Sequence, residues 1–167
     1  MENNELKYYM SKSWVRGLFI YYLLLIIIGI AFMLKAFLSL NESENDYVIS
    51  TFLVSILSSM TFSSIYYSKK MYKACIDGRL LFENDNKAIL LGNSMYFFLR
   101  PIFSVAFSVM FVICILGGAF FLMNGLDYVI NDRMVYLSAF VSSAIGYSIG
   151  NVLDKFGTLS KKTTDKM

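Results

Sequence analysis

Four long apolar runs, parted by short polar connections, set the plan of this chain. The first, Gly17 to Leu34, is 18 residues without a charge. A helix needs about 20 predominantly apolar residues to cross about 30 Å of hydrocarbon. The other runs are Val48–Tyr67, Phe98–Met123 and Met134–Leu153. Peptide groups at that depth have no water to bond, so runs this long read as helices, which satisfy their own N–H and C=O groups. The pattern predicts an all-α integral membrane protein with four transmembrane helices, over 15–38, 48–68, 98–123 and 134–153, in one domain covering 1–167. A basic segment precedes the first run, as in a signal peptide. That run is too long for one, and no small-x-small site follows before the acidic stretch at Glu42, so it is expected to stay in the chain.

The first and third connections are short, and the second, Ser68–Leu99, is much longer. Met71, Tyr72, Cys75, Ile76, Leu80 and Leu81 within it have the spacing of one helical face. The second span is therefore expected to run on into a cytoplasmic elbow over 69–97. Gly78 weakens that extension, and Asn84–Asn86 reads as its break. A second short helix, Lys87–Leu91, is expected to stop at Gly92-Asn93. Pro101 then suits the first turn of the third span, where a missing N–H costs nothing. Two short likenesses predict tandem helical hairpins running the same way: Val15-Arg16-Gly17-Leu18-Phe19 with Leu99-Arg100-Pro101-Ile102-Phe103, and Ser50–Ser55 with Ser138–Ser143.

Composition leaves no room for a separate soluble domain, with 57% hydrophobic and 16% charged residues. Charge orients the spans. All of the 15 lysines and arginines except Lys35 and Arg133 fall in the N-terminal segment (Lys7, Lys12, Arg16), the second connection (Lys69, Lys70, Lys73, Arg79, Lys87, Arg100) or the tail (Lys155, Lys161, Lys162, Lys166). Positive connections stay in the cytoplasm, so both termini and the elbow are expected inside. Glu42, Glu44, Asp46, Asp127 and Asp132 make the outer face mildly acidic. Histidine is absent, and the two cysteines, Cys75 and Cys114, lie too far apart along the spans to pair, so no metal site is expected. Cys114, within an apolar helix, reads as a small packing residue.

The second run sets Thr51, Ser55, Ser59 and Ser63 four apart; the fourth does the same with Ser138, Ser142, Gly146 and Gly150. Such stripes let two backbones approach while hydroxyls bond across the contact. Ser55, Ser59, Ser63, Ser142, Gly146 and Gly150 are therefore assigned to helix packing, within the chain or between copies of it. A hydroxyl-lined pathway at the centre of an oligomer is the alternative. The first and third runs carry bulky Phe19, Tyr21, Tyr22, Phe103, Phe107 and Phe111 and read as lipid-facing; Trp14, Tyr66 and Tyr67 read as interfacial belt residues. No charge lies near the middle of any run, which argues against ion-coupled transporters, voltage sensors and intramembrane hydrolases. No nucleophile with a base, paired carboxylates or phosphate-cradling loop is evident, so neither an enzyme nor a cofactor is expected. The basic loops lack the density and stacking aromatics that nucleic acid requires. Anionic lipid accounts for part of their charge, at about 1 kcal/mol per residue. A protein partner accounts for more, and Lys69, Lys70, Lys73 and Arg79 are assigned to that contact.

Four spans, termini inside, Ser68-Lys69-Lys70-Met71-Tyr72-Lys73 behind the second span and no intramembrane charge describe the whole chain. In these respects it resembles the small four-span membrane subunits of bacterial phage-defence systems, of the Kiwa and Rex-exclusion kind. The resemblance is architectural and transfers no individual residue. It implies a multi-pass protein of the bacterial inner membrane, a sensor or anchor that homo-oligomerises and binds a cytoplasmic effector protein. The alternative is a small homo-oligomeric pore that depolarises the membrane, with Ser59 and Gly146 lining or gating the path. A bacteriocin-immunity-like membrane-stress protein fits the same features.

Overall fold

The computed structural model describes residues 7–39, 47–82, 86–122 and 132–164, and the side chains within 7–38, 47–82, 86–117 and 132–150. Its helices are α1 Lys12–Ser39, α2 Tyr47–Ile76, α3 Lys87–Leu122 and α4 Asp132–Thr164. Two minimal strands, β1 Tyr8–Tyr9 and β2 Leu80–Leu81, pair in parallel with Tyr8 opposite Leu80. The protein is otherwise all-α. Helices α1, α2 and α3 are long and apolar enough to cross a membrane. Among the described residues α4 does not reach that apolar level, because Ser138, Ser142, Ser143, Ser148, Gly146 and Gly150 dilute its hydrophobic positions.

Helix α2 is the hub. Its partners on α1 are Gly29 against Thr61 and Met33 against Ser58; on α3, Ser104 against Ser59 and Ser108 against Ser55. Both pairings run antiparallel. Contacts with α4 climb together instead: Thr51 with Ser138, Ser55 with Ser142, Ser59 with Gly146. The starts of α1 and α3 and the described ends of α2 and α4 thus share one end of the bundle, with β1 and β2 beside them.

Polarity is inverted relative to a water-soluble fold, which buries its large apolar side chains and exposes polar ones. Ser55, Ser59, Ser63, Ser64, Ser104, Ser108 and Ser142 are wholly buried. Ile20, Leu23, Ile27, Phe32, Ile49, Met110 and Phe140 are exposed. Half of the apolar stretch of α2 is buried, against 28% in α3 and 17% in α1.

Helix ends depart from the sequence expectation in two places. Helix α2 does extend beyond its apolar run, but it stops at Ile76 rather than near Asn84, which lies outside the described residues. Gly78 adopts φ +65°, and the bonds Arg79 N to Ala74 O (3.0 Å) and Gly78 N to Cys75 O (3.4 Å) close the helix with a left-handed cap. Asn86 starts the next helix instead of ending the last one: its Oδ1 accepts the Ala88 N–H at 3.0 Å. No separate Lys87–Leu91 helix forms, and nothing stops at Gly92-Asn93. Helix α3 is continuous from Lys87, and Pro101 lies in its interior rather than in a first turn. Proline there removes the N–H that would bond the Phe97 carbonyl. The Tyr22 hydroxyl donates to that oxygen at 2.6 Å, so α1 supplies the donor that α3 lacks.

Cys114, Tyr22 and Tyr67 lie elsewhere than expected. Cys114 is exposed, not packed, because it falls on the outward face of α3. Tyr22 and Tyr67 are wholly buried rather than facing lipid or the interface, drawn in by Phe97 and Arg100. The outer residues Glu42, Glu44, Asp46 and Asp127, and the side chains of Lys155, Lys161, Lys162 and Lys166, lie outside the described set.

Candidate functional site

Two polar structures are built into the greasy bundle. The first is a seam along α2. Ser55 Oγ lies 2.6 Å from Ser108 Oγ and 2.5 Å from Ser142 Oγ, so three helices each contribute one hydroxyl to a single cluster. One turn on, Ser104 Oγ donates to the Ser59 carbonyl at 3.0 Å. Gly146 rests on that same stretch of backbone, where any Cβ would overlap the Ser59 carbonyl. Gly150 packs under Tyr67, with room for a Cβ only 2.5 Å from the phenol oxygen. Gly29 likewise abuts Thr61 from the α1 side. These are the small-residue contacts that let transmembrane-type helices approach backbone to backbone.

Other hydroxyls of α2 are satisfied within their own helix: Thr61 Oγ1 donates to Leu57 O and Ser64 Oγ to Met60 O, both at 2.7 Å. Ser63 Oγ is wholly buried and has no hydrogen-bond partner among the described residues. A serine hydroxyl with no base beside it is a weak nucleophile. Among the described residues the seam's hydroxyls bond to one another and to helix carbonyls. Among the described residues no three Cys, Asp or Glu side chains come together to hold a metal ion.

The second structure is a collar at the end where β1 and β2 pair. Arg100 is 6% exposed, and its guanidinium lies 4.1 Å from the Tyr96 ring centroid and 5.6 Å from that of Tyr67. Lys70 Nζ sits 5.5 Å from the Tyr96 ring and 5.9 Å from those of Tyr67 and Tyr8, and donates to Tyr96 Oη at 3.3 Å. Aromatic faces attract cations in this geometry, more strongly where water is excluded. The N-terminal segment is bound into the same cluster. Tyr8 N donates to Arg79 O at 2.8 Å and Met10 N to Leu81 O at 3.0 Å. Asn93 Nδ2 reaches Tyr9 O at 3.3 Å, and the Tyr8 ring meets Phe97 edge-on at 5.2 Å.

The structure divides the four cations assigned to partner contact. Lys69 and Lys73 are exposed, and share one face of the α2 extension with exposed Tyr72 and Ile76. Lys70 turns into the collar, and Arg79 pairs with Asp77. Of the packing set, Ser55, Ser59, Ser142, Gly146 and Gly150 meet in the contact of α2 with α3 and α4, inside one chain, while Ser63 is buried on the same helix. Ser104 and Ser108 belong to the seam as well. Their four-residue spacing was visible in a run otherwise dominated by phenylalanine. The collar left a weaker signal: Tyr96 and Arg100 are four apart on α3, but Tyr8, Lys70 and Tyr96 come from three separate segments. No protein-family model, curated protein or solved structure matches this chain, so the seam and the collar are what its function has to be read from.

Proposed function

We propose that this protein is a multi-pass subunit of a bacterial inner membrane that anchors a soluble cytoplasmic effector at its inner face. The inverted polarity carries the reading. An exterior of Ile20, Leu23, Ile27, Phe32 and Met110 around wholly buried serines is costly in water and comfortable in hydrocarbon, where hydroxyls must find partners inside the protein. The fourth span is then α4, carried by its packing on α2 rather than by its own apolar character. With the basic end facing the cytoplasm, both termini are inside.

Docking belongs to the collar end. A 30-residue helix such as α2 is about 45 Å long, well beyond about 30 Å of hydrocarbon, so its last turns project. Those turns display Lys69, Tyr72, Lys73 and Ile76 together, a basic and apolar face suited to an acidic protein surface. Homo-oligomerisation and a role in phage defence complete the proposal. Burial of Ser55, Ser59 and Ser142 within one chain favours adhesion over a serine-lined pore.

The test is a mild-detergent purification of the tagged protein from its native host, with native mass analysis, beside a Lys69→Glu/Lys73→Glu variant. A stoichiometric soluble partner with the wild type, lost in a variant that still inserts, supports the anchor. A partner retained by the variant defeats this docking face. No partner with either protein turns attention to the pore, read by ion flux in liposomes with bulky substitutions at Ser59 or Gly146.

A further inference from the structure

We propose that the groove between the starts of α1 and α3 binds one anionic phospholipid, with its phosphate at Arg16 and its upper acyl chain against Gly17, Tyr21 and Phe98. The inference rests on the membrane-embedded reading above and adds to it a site with a preferred headgroup.

The groove follows from how the two helices meet. Tyr21 stacks on Phe98 with ring centroids 5.0 Å apart, and next to them the Tyr22 hydroxyl reaches Phe97 O. Toward the start of α1 a cleft of about 360 Å³ opens beside that stack, lined by Ser13, Trp14, Gly17, Leu18, Tyr21 and Phe98. Sites for small ligands begin at about 300 Å³. Gly17 helps to keep the cleft open, since a Cβ there would meet nothing within 4 Å.

Depth and charge together name the occupant. Arg16 is the last charge before the uncharged run Gly17–Leu34, and the cleft straddles that boundary: Ser13 and Trp14 precede it, Gly17, Leu18 and Tyr21 follow it. From Ser13 to Tyr21 is about 12 Å of helix, enough to lead from the headgroup layer into hydrocarbon. A molecule filling this cleft has to be polar at one end and apolar at the other. Trp14 and Tyr21 are the amphipathic rings that settle at such a level. Beyond them Ile20 and Leu24, 61% and 51% exposed, continue an apolar face along which a chain can extend.

The polar end is basic. Arg16 lies three residues after Ser13 and one before Gly17, so it shares their face of α1. It is exposed and makes no ion pair among the described residues. Lys12 Nζ lies over the Phe82 ring at 5.7 Å, which leaves Arg16 as the cation of the cleft. Among the described residues the one carboxylate at this end, Asp77, pairs with Arg79. A second copy inserted the same way would bring its own basic end to this depth, like charge against like. An anionic headgroup neutralises the rim instead.

Trp14 is the single tryptophan of the chain and lines the cleft, so its fluorescence reports what enters. The full chain is reconstituted in phosphatidylcholine vesicles. A fixed fraction of the lipid is then replaced by phosphatidylglycerol, or by phosphatidylcholine, brominated near the top of the acyl chain. Carbonate extraction of native membranes is run alongside. Several-fold stronger quenching by the brominated phosphatidylglycerol is expected. Gly17→Leu, which fills the cleft where there is room, and Arg16→Gln, on the exposed rim, should each bring the two lipids close to equal. Equal quenching of the wild type overturns the site, since the groove then takes whichever lipid is nearest. A preference kept in full by either variant also overturns it, because the anionic lipid is then held elsewhere on the basic end. Both failures leave the membrane reading standing if the chain resists carbonate. A chain released by carbonate overturns the site and the membrane reading together.

Discussion

The seam and the collar solve the same problem, polar groups inside a greasy bundle, by opposite means. Along the seam every residue is small. Ser55, Ser59, Ser142 and Gly146 lose little side-chain freedom on packing, bring backbones close, and bond through single short hydroxyls. In the collar every residue is large: Lys70 and Arg100 lie against the rings of Tyr8, Tyr67 and Tyr96. In a bundle that spans a membrane, as proposed, the difference follows depth. A cation near the middle of the bundle would be stranded in hydrocarbon, whereas one near the end can rest on aromatic faces within reach of the interface. The seam should therefore be sensitive to added volume, and the collar to a lost donor or charge.

The comparison breaks most sharply at Gly146. Gly146→Leu has to displace the Ser59 backbone, which no rotamer change can relieve. A loss of about 3 kcal/mol is expected, read as an earlier unfolding midpoint in a detergent titration. At the junction of the two regions, Tyr22→Phe removes the donor to Phe97 O and leaves that buried carbonyl without its Pro101-compensating bond. The cost should be about 2 kcal/mol. It should shrink in a Pro101→Ala background, where the backbone N–H returns; an undiminished cost in the double variant would show that Tyr22 acts through packing alone.

Ser55→Ala cuts two hydroxyl contacts while adding no volume, and about 1 kcal/mol is expected from the same titration. A larger effect than Gly146→Leu would reverse the ranking on which the comparison stands. The smallest stability change belongs to Lys69→Glu/Lys73→Glu, on the exposed face outside the collar. Its midpoint should match the wild type, while the proposed partner binding is lost.

Much of the seam was legible because it is periodic. Residues four apart on one helix share a face wherever the helix is placed, so Thr51, Ser55, Ser59, Ser142 and Gly146 could be grouped before any neighbour was known. The extension of α2 followed from the same periodicity at Met71, Tyr72, Cys75 and Ile76. The path of α3 was not legible. A proline after a Gly-Asn pair reads locally as a helix start, and the group that makes an interior proline tolerable, Tyr22, belongs to another helix. The cages of Lys70 and Arg100 are local only in part: Tyr67 lies three before Lys70 and Tyr96 four before Arg100, while the rings that close each cage come from other segments. The sequence marks Gly78 as a weak point of the extension, but its positive φ is what makes it the end of the helix.

The pairing of β1 with β2 has a consequence for how the chain is made. β1 precedes α1 and β2 follows α2, so their two backbone bonds close the first hairpin into a ring that needs no residue of α3. During synthesis this ring can form as soon as Leu81 is available. It requires Tyr8 and Met10 to lie at the same end of the bundle as Arg79 and Leu81, so it fixes the first hairpin as a there-and-back pair. Those two hydrogen bonds thus make the first hairpin a closed unit that the second hairpin joins rather than completes.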